Sequence, residues 1–505
     1  MRRLRDLPFT VILMGIGALA MYVPAFHAFG VRDYQVSRAF FYSGTIFLII
    51  AVLVGIATAA NRAGHPGRDQ LLTLLTAYTV LPLMLAVPFA EAVPNTTYYG
   101  AWWEMVSSVT TTGATLFAPE RLPDSVHLWR ALVGWMGGFF VLVTAAAVLA
   151  PMNLGGFEVL RGVTAGEGAV AAIGASGQVI SPMDRILRQT RALLPAYAGL
   201  TLALWVLLNL AGEDGLVAVC HAMSILATSG ISSERGLAGS TAGFTGEAVM
   251  FGFLVFALSR RLYPSGRTIR DAMGLVEDPE LRMALLIITV VPALLFLRHW
   301  IGAFEVDEVS NAAAALRALW GTVFTVLSFL TTTGFESAAW TDARDWSGLA
   351  TPGLILAGLA VIGGGVATTA GGVKLLRVYA LYRHGEREIE RLVHPSSVGG
   401  SGMEARRLRR QGAQMAWIFF MLFALSIAAT MLALSLTGLD FAASMTFAVA
   451  ALSTTGPLAN FAAEAPLAWS DLNGTARAVA AGAMVLGRLE TLAIIALLNP
   501  DFWRR

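Results

Sequence analysis

Long apolar runs separated by short polar segments recur along the whole chain. A helix that crosses the hydrocarbon core of a bilayer needs about 20 apolar residues. Ten stretches reach that length, at roughly 8–30, 37–59, 71–91, 127–150, 189–211, 242–262, 281–303, 348–384, 413–437 and 474–498. The eighth stretch is interrupted by glycines. The pattern predicts an all-α integral membrane protein with ten transmembrane helices, of which the eighth is broken.

The composition supports a membrane environment. Of the 505 residues, 56% are hydrophobic and 13% are charged, whereas soluble domains have roughly 25% charged residues. The basic residues form no continuous stripe, which argues against a nucleic-acid partner. The single cysteine, Cys220, cannot form an intramolecular disulfide and is expected to be buried.

The distribution of basic residues predicts the orientation, because cytoplasmic loops carry an excess of Arg and Lys. With the N-terminus inside, the basic residues concentrate in the inside loops, most densely between Lys374 and Arg410. The outside loops are acidic and include Glu305, Asp307 and Glu308. Both termini are therefore expected to be cytoplasmic.

Four further apolar segments are too short to span, at roughly 100–112, 215–229, 316–333 and 440–455. Each follows an outward-going helix and precedes an inward-going one. Non-helical backbone at membrane depth is tolerated only where it is buried in protein or lines a water-filled cavity. The segments are therefore predicted to be re-entrant, each entering from the outside as a short pore helix.

The four re-entrant segments end in the same tetrapeptide pattern: a small or hydroxyl residue, then Thr, then Thr or Ser, then Gly. Its last three positions are Thr111, Thr112 and Gly113; Thr228, Ser229 and Gly230; Thr332, Thr333 and Gly334; and Thr454, Thr455 and Gly456. The repetition predicts an N-terminal two-helix unit, 1–62, followed by four pseudo-repeated units of helix, pore helix, filter loop and helix. These repeats are 63–160, 161–270, 271–395 and 396–505.

The repeated loops suit the dehydration of a cation. An ion that leaves water needs oxygen atoms to replace its hydration shell, and rings of backbone carbonyls can supply them. Glycine reaches dihedral angles that other residues rarely adopt, and each pore helix points its negative C-terminal end toward the membrane centre. The alternative is that the glycines only terminate buried helices. The common register of four loops favours a cation pore with these twelve residues as its filter.

The interruption of the eighth stretch is rich in glycine and threonine. Its residues include Gly363, Gly364, Gly365, Thr368, Thr369, Gly371 and Gly372. A phosphate-binding loop is disfavoured because the G-K-[ST] element is absent. Such a backbone cannot form a lipid-facing helix at mid-membrane, so a loop that lines the pore fits better.

Two basic residues accompany this loop. Lys374, the only lysine of the chain, follows it directly; its side chain either reaches the cytoplasmic interface or acts at a gate. Arg488 falls within the tenth stretch, where a charged side chain usually faces the bundle interior or a cavity. The basic stretch 374–410 suits either anionic lipid head groups or a soluble partner.

With these motifs the chain resembles the TrkH/KtrB/HKT superfamily of potassium transporters, and within it the TrkH/TrkG type. The resemblance covers essentially the whole chain. It is carried by the first filter loop and by the segments 363–374, 388–395, 487–490 and 500–503. The second and fourth filter loops depart from the family pattern, with Ala227-Thr228-Ser229 and Ser453-Thr454-Thr455.

The resemblance implies potassium-selective uptake across a bacterial cytoplasmic (inner) membrane, with potassium ions held by the filter residues and no covalently bound cofactor. It also implies that the glycine-rich segment is an intramembrane gating loop below the filter, faced by Arg488. The partners that it implies are a second copy in a homodimer and a TrkA-like cytosolic regulatory subunit, which would bind any nucleotide.

Other functions are weighed against this one. The alternative transport mode is a cation symporter that couples potassium to proton or sodium entry. Folds of secondary transporters usually contain two inverted halves, whereas the repeat here is four-fold and parallel. An intramembrane enzyme would need a nucleophile with its base, or metal ligands. His221 stands beside Cys220, but adjacent helical residues do not point at one site, so no enzymatic activity is predicted.

Overall fold

The computed structural model describes residues 8–58, 66–152, 154–159, 182–237, 239–263, 278–302, 312–348, 353–394, 410–462 and 465–489. Within these ranges the regular secondary structure is helical and no strand occurs. The predicted all-α class is therefore confirmed.

Seven helices in the described ranges are long and apolar enough to cross a membrane. They are Phe9–Gly30, Tyr34–Thr58, Leu71–Ala92, Asp124–Leu149, Met183–Leu210, Pro279–Arg298 and Gly412–Ser435. Each coincides with one of the ten predicted crossings. The remaining three crossings contain shorter helices, and the part of the tenth crossing beyond Leu489 lies outside the described residues.

The N-terminal unit contains α1 (Phe9–Ala20), α2 (Tyr22–Gly30) and α3 (Tyr34–Thr58). The first crossing divides into two helices because Pro24 lacks the amide hydrogen that an unbroken helix would require. Gly44 of α3 lets the helices approach closely, since a Cβ atom there would lie 3.1 Å from the carbonyl oxygen of Ala18.

The helices of the four predicted repeats follow in chain order. The first contains α4 (Pro66–Thr79), α5 (Leu81–Ala92), α6 (Tyr98–Val109) and α7 (Asp124–Thr144). The second contains α8 (Pro182–Leu210), α9 (Gly215–Ala227) and α10 (Gly243–Leu254). The third contains α11 (Pro279–Gly302), α12 (Ala312–Leu330), α13 (Trp340–Ser347), α14 (Gly353–Ile362) and α15 (Leu375–Val393). The fourth contains α16 (Arg410–Ser435), α17 (Phe441–Leu452) and α18 (Gly474–Leu489).

The short helices α6, α9, α12 and α17 are the four predicted pore helices. Two of them start with side-chain caps: the Thr97 hydroxyl oxygen accepts a hydrogen bond from the Gly100 N–H at 3.1 Å, and Asp440 Oδ1 accepts one from the Ala443 N–H at 3.0 Å. All four end two or three residues before the predicted bounds, because the filter loop leaves the helical conformation there.

The distribution of polar and apolar side chains between surface and interior is inverted relative to that of a soluble protein. Large apolar side chains such as Ile56, Leu210 and Leu294 are exposed on the outer helices, whereas hydroxyl side chains such as Ser107 and Thr325 are buried at the centre. Exposed apolar surface is stable only in an apolar solvent. The fold is therefore that of a multi-pass membrane protein.

The sixth crossing, predicted at 242–262, is helical only to Leu254 and continues as the 3-10 turns Val255–Ala257 and Arg260–Leu262. The helix ends there because the Ala257 carbonyl oxygen accepts a hydrogen bond from the Gly365 N–H, at 3.0 Å, in the interrupted eighth crossing. That interruption separates α14 from α15, as the glycines predicted.

Candidate ion pathway

The filter loops share an unusual backbone conformation. The second-position threonines Thr111, Thr228, Thr332 and Thr454 have φ angles of 54°, 50°, 58° and 54°. A left-handed conformation is an outlier for a β-branched residue and costs on the order of 1–3 kcal/mol. Its recurrence at four equivalent positions means that the surrounding structure enforces it, and such strain clusters at functional sites.

The first three loops contact each other in chain order. A Cβ atom added to Gly113 would lie 1.8 Å from the carbonyl oxygen of Ser229 in the second loop. A Cβ atom added to Gly230 would lie 2.2 Å from the carbonyl oxygen of Thr333 in the third loop. Only glycine permits these approaches between a carbonyl oxygen and the neighbouring backbone.

The fourth loop closes the ring. The Pro457 ring lies 3.2 Å from the position that a Cβ atom on Gly334 would take, which joins the third loop to the fourth. The Gly456 N–H then donates a hydrogen bond to the carbonyl oxygen of Thr112 in the first loop, at 2.6 Å. The four loops of one chain therefore surround a common axis.

Hydroxyl groups hold three of the loops in the same way. In each of these loops a side-chain hydrogen bond joins the first and third residues of the tetrapeptide. The pairs are Thr110 and Thr112 at 2.8 Å, Thr331 and Thr333 at 3.1 Å, and Ser453 and Thr455 at 3.2 Å. The second loop has Ala227 in the first position, and the Ser229 hydroxyl instead donates to the Ser224 hydroxyl, at 3.2 Å. The departure noted in the sequence is thus compensated locally.

The hydroxyl groups of the second-position threonines form fewer hydrogen bonds. Within the described residues, the buried Thr111 and Thr454 Oγ1 atoms have no hydrogen-bond partner. A buried polar atom without a partner is costly. These atoms, with the backbone carbonyls, are the oxygen ligands that the ring can offer to a cation.

The residue nine positions before each filter glycine lies in the pore helix and contacts the filter loop or the segment that follows it. The sequence did not single out this position. In the first repeat, Glu104 Oε2 accepts a hydrogen bond from the Leu116 N–H at 3.1 Å, and Oε1 forms a buried ion pair with Arg130 Nε at 2.7 Å. In the third repeat, the Thr325 hydroxyl oxygen accepts a hydrogen bond from the Ser337 N–H at 3.2 Å. Both residues fix the segment that follows the filter.

The other two repeats use different chemistry at the same position. His221 Nε2 is hydrogen-bonded to the Ser232 hydroxyl at 3.0 Å. The Phe447 ring packs against Trp469 with centroids 4.7 Å apart, and the Trp469 indole N–H donates to the Gly456 carbonyl oxygen at 3.0 Å. Aligning the four tetrapeptides would have singled out this position, although its residue type varies.

The glycine-rich loop, residues 363–374, forms a closed reversal of the chain. Its ends are joined by hydrogen bonds from the Val373 N–H to the Val361 carbonyl oxygen at 2.9 Å and from the Lys374 N–H to the Ile362 carbonyl oxygen at 2.8 Å. Gly363 has φ 74°, and a Cβ atom there would lie 2.1 Å from the Gly371 carbonyl oxygen. Glycine is required for this approach.

The glycine-rich loop contacts the filter directly. The Gly371 N–H donates a hydrogen bond to the Thr332 hydroxyl oxygen at 2.7 Å. A Cβ atom on Gly371 would lie 2.2 Å from the Ser453 carbonyl oxygen and 2.4 Å from Thr454 Oγ1. The loop therefore lies against the pore-helix end of the third and fourth filter loops.

Lys374 and Arg488, the two basic residues predicted near the gate, have different surroundings. Lys374 is only 7% exposed, and its ammonium group donates a hydrogen bond to the Ala370 carbonyl oxygen, so its charge lies within the loop. Arg488 is also buried, and its side chain is hydrogen-bonded to Tyr78 of α4. Its Nε and Nη2 atoms have no hydrogen-bond partner among the described residues, so these two atoms form no hydrogen bond with the described glycine-rich loop.

Comparison with known proteins reveals several relatives. The TrkH family model, described as a cation transport protein, matches residues 239–503. The Trk system potassium uptake protein TrkH of Escherichia coli (strain K12) is 29% identical over 487 residues, with 96% of each chain covered. Its namesake in Salmonella typhimurium (strain LT2) is 30% identical over 490 residues, again with 96% of each covered. The crystal structure of the potassium transporter TrkH from Vibrio parahaemolyticus matches with a TM-score of 0.81 and 26% identity, over 99% of this chain and 100% of that one.

Proposed function

Because this chain belongs to the TrkH family of cation transport proteins, we propose that it takes up potassium ions selectively across the bacterial cytoplasmic (inner) membrane. The relatives are named as potassium uptake proteins, which are transporters and not enzymes. The observation that carries the proposal is the closed ring of four filter loops, each with a left-handed threonine before its glycine.

The ring supplies the chemistry that a dehydrated cation needs. Carbonyl oxygens replace the hydration shell, and the Thr111 and Thr454 hydroxyl oxygens add ligands where the ion enters or leaves the ring. Glu104, a buried carboxylate behind the first loop, is neutralised by Arg130. The twelve filter residues themselves carry no negative charge, so the ion is held weakly enough to leave.

The glycine-rich loop is proposed as the gate. It occupies the pore-helix end of the filter, where it blocks the path of an ion, and it is held there by hydrogen bonds rather than by a continuous helix. The buried charge of Lys374 repels cations from the same region. Arg488 adds a second buried positive charge, which is proposed to keep cations out of the closed pathway.

The proposal extends to assembly and topology. Since one chain supplies all four filter loops, a homodimer would contain two independent pores, and both termini are assigned to the cytoplasm. A TrkA-like regulatory subunit, which alone would bind nucleotide, is proposed to dock on α15, which begins directly after the glycine-rich loop. This helix exposes Tyr382, Ile389 and Leu392, and membrane lipids surround the outer helices.

Rubidium uptake by proteoliposomes tests the function. Uptake that unlabelled potassium inhibits, but sodium and lithium do not, supports a potassium-selective pore. The alternative, symport with protons or sodium, predicts that uptake stops when the proton and sodium gradients are abolished. If no cation is taken up, even with a nucleotide-loaded regulatory subunit present, the pore proposal is wrong and the glycines are helix caps.

A further inference from the structure

Glu280, in the first turn of α11, is bonded to the glycine-rich loop. Its side chain is buried, and Oε1 accepts a hydrogen bond from the Val366 N–H at 2.7 Å. The two residues are 86 positions apart, so no local sequence pattern connects them. This contact holds the part of the loop that lies before Gly371, the residue that is bonded to the filter.

Neighbouring groups fix the position of Glu280. Asp278 Oδ1 accepts a hydrogen bond from the Glu280 N–H at 3.2 Å, and Oδ2 accepts one from the Ser259 hydroxyl at 2.6 Å. Ser259 follows Ala257, whose carbonyl oxygen accepts the Gly365 N–H at 3.0 Å. Ala257 of the second predicted repeat and Glu280 of the third thus hold two adjacent residues of the glycine-rich loop, Gly365 and Val366.

The Val366 side chain contacts the other two repeats. A Cβ atom on Gly156, after the last helix of the first repeat, would lie 2.2 Å from Val366 Cγ2. Val366 also belongs to a small apolar cluster with Phe157 and with Ala416 of α16. Residues of all four predicted repeats therefore meet at Gly365 and Val366, and a movement of any of them changes the environment of the Glu280–Val366 hydrogen bond.

We propose that Glu280 is a positioning residue that keeps the glycine-rich loop in the closed, blocking position, and that the bond to Val366 breaks when the pore opens. The inference rests on the proposed gate function of the loop. The two anchors, Thr332 at the filter and Glu280 at the opposite side, both bind backbone N–H groups. Release of the loop therefore requires no helix to unfold.

Single-channel recordings in planar bilayers test the role, with full-length wild type, Glu280→Ala and Glu280→Gln. Loss of one hydrogen bond to a buried acceptor shifts an equilibrium by roughly five- to tenfold. Glu280→Ala is expected to raise the open probability about tenfold, with unchanged unitary conductance and unchanged selectivity for rubidium over sodium. Glu280→Gln keeps an acceptor oxygen and should fall between the two.

The matched control is Glu91→Ala, which removes an exposed carboxylate near the end of α5, outside the proposed gate and the proposed docking helix. It is expected to record like wild type. A loop variant, Gly371→Ala, tests the gate itself, because its Cβ atom would clash with the Ser453 carbonyl oxygen. It is expected to raise the open probability as well.

The outcomes separate the two claims. If Gly371→Ala alters opening while Glu280→Ala records like wild type, the inference about Glu280 is wrong and the gate stands. If neither variant alters opening, the proposed gate is wrong; if no protein conducts, the proposed function fails. Should Glu280→Ala not fold, hydrogen–deuterium exchange of 363–374 in Glu280→Gln decides: faster exchange with more frequent opening supports the role, and unchanged exchange and opening contradict it.

Discussion

Individual backbone contacts determine which substitutions each filter residue tolerates. Gly113 is the most constrained, since even a methyl group would lie 1.8 Å from the Ser229 carbonyl oxygen. Gly482 of α18 is a matched control, because a Cβ atom there has no other atom within 4 Å. Gly113 differs from Gly482 in packing and also in backbone conformation, since Gly113 has φ 71° and Gly482 is helical.

Gly113→Ser is expected to displace the Ser229 carbonyl oxygen and so to disrupt one edge of the ring. We expect the preference for rubidium over sodium in proteoliposome uptake to fall by about tenfold, the effect of roughly 1.4 kcal/mol lost from ion coordination. Gly482→Ser should retain wild-type uptake and preference. A Gly113→Ser protein with undiminished preference would show that this contact does not shape the filter.

Glu336, two residues after Gly334 and outside the membrane-spanning helices, is expected to make uptake pH-dependent. Burial raises the pKa of its carboxyl group to about 7, and the charge of Arg344 opposes this shift only in part. The group is therefore neutral below pH 7 and negative above it, where it attracts cations to the filter entrance.

Initial rubidium uptake is expected to rise roughly twofold as the outside pH goes from 6 to 8. Glu336→Gln, which stays neutral, should remain at the low rate throughout this range. Equal pH profiles for wild type and variant would assign the pH dependence to another group.

Pore helices are the elements that the sequence predicted best, because a short apolar run followed by a tetrapeptide of fixed pattern is a local signal. Their supports are non-local. Glu104 pairs with Arg130 of the next helix, and Glu280 bonds Val366, 86 positions away. No periodicity or spacing within one element encodes such a contact. The helices and the loops between them were therefore predictable, and the residues that hold the loops were not.

The Glu104–Arg130 ion pair joins α6 to α7 in the first repeat. Glu104→Gln leaves the Arg130 guanidinium group buried without its counter-charge, and loss of one partner of a buried pair costs about 3–5 kcal/mol. We expect that decrease in the free energy of unfolding, measured by titration with a denaturing detergent. The double variant Glu104→Gln, Arg130→Met should recover much of the loss, and a single variant as stable as wild type would show that the pair is solvated.

At the scale of the whole molecule, the closed ring of loops within one chain predicts that each chain of the proposed homodimer is a complete pore. A ring shared between chains would behave differently when a defective chain is mixed in. Dimers containing one wild-type and one Gly113→Ser chain, isolated with two affinity tags, are expected to retain about half of the selective rubidium uptake of wild-type dimers, as independent sites require. Their selective component should match wild type in its inhibition by potassium. Loss of selective uptake from the mixed dimers would contradict this prediction. It would mean that the filter loops of both chains contribute to one pathway, so that the Gly113→Ser substitution in one chain alters the ion site that both chains share.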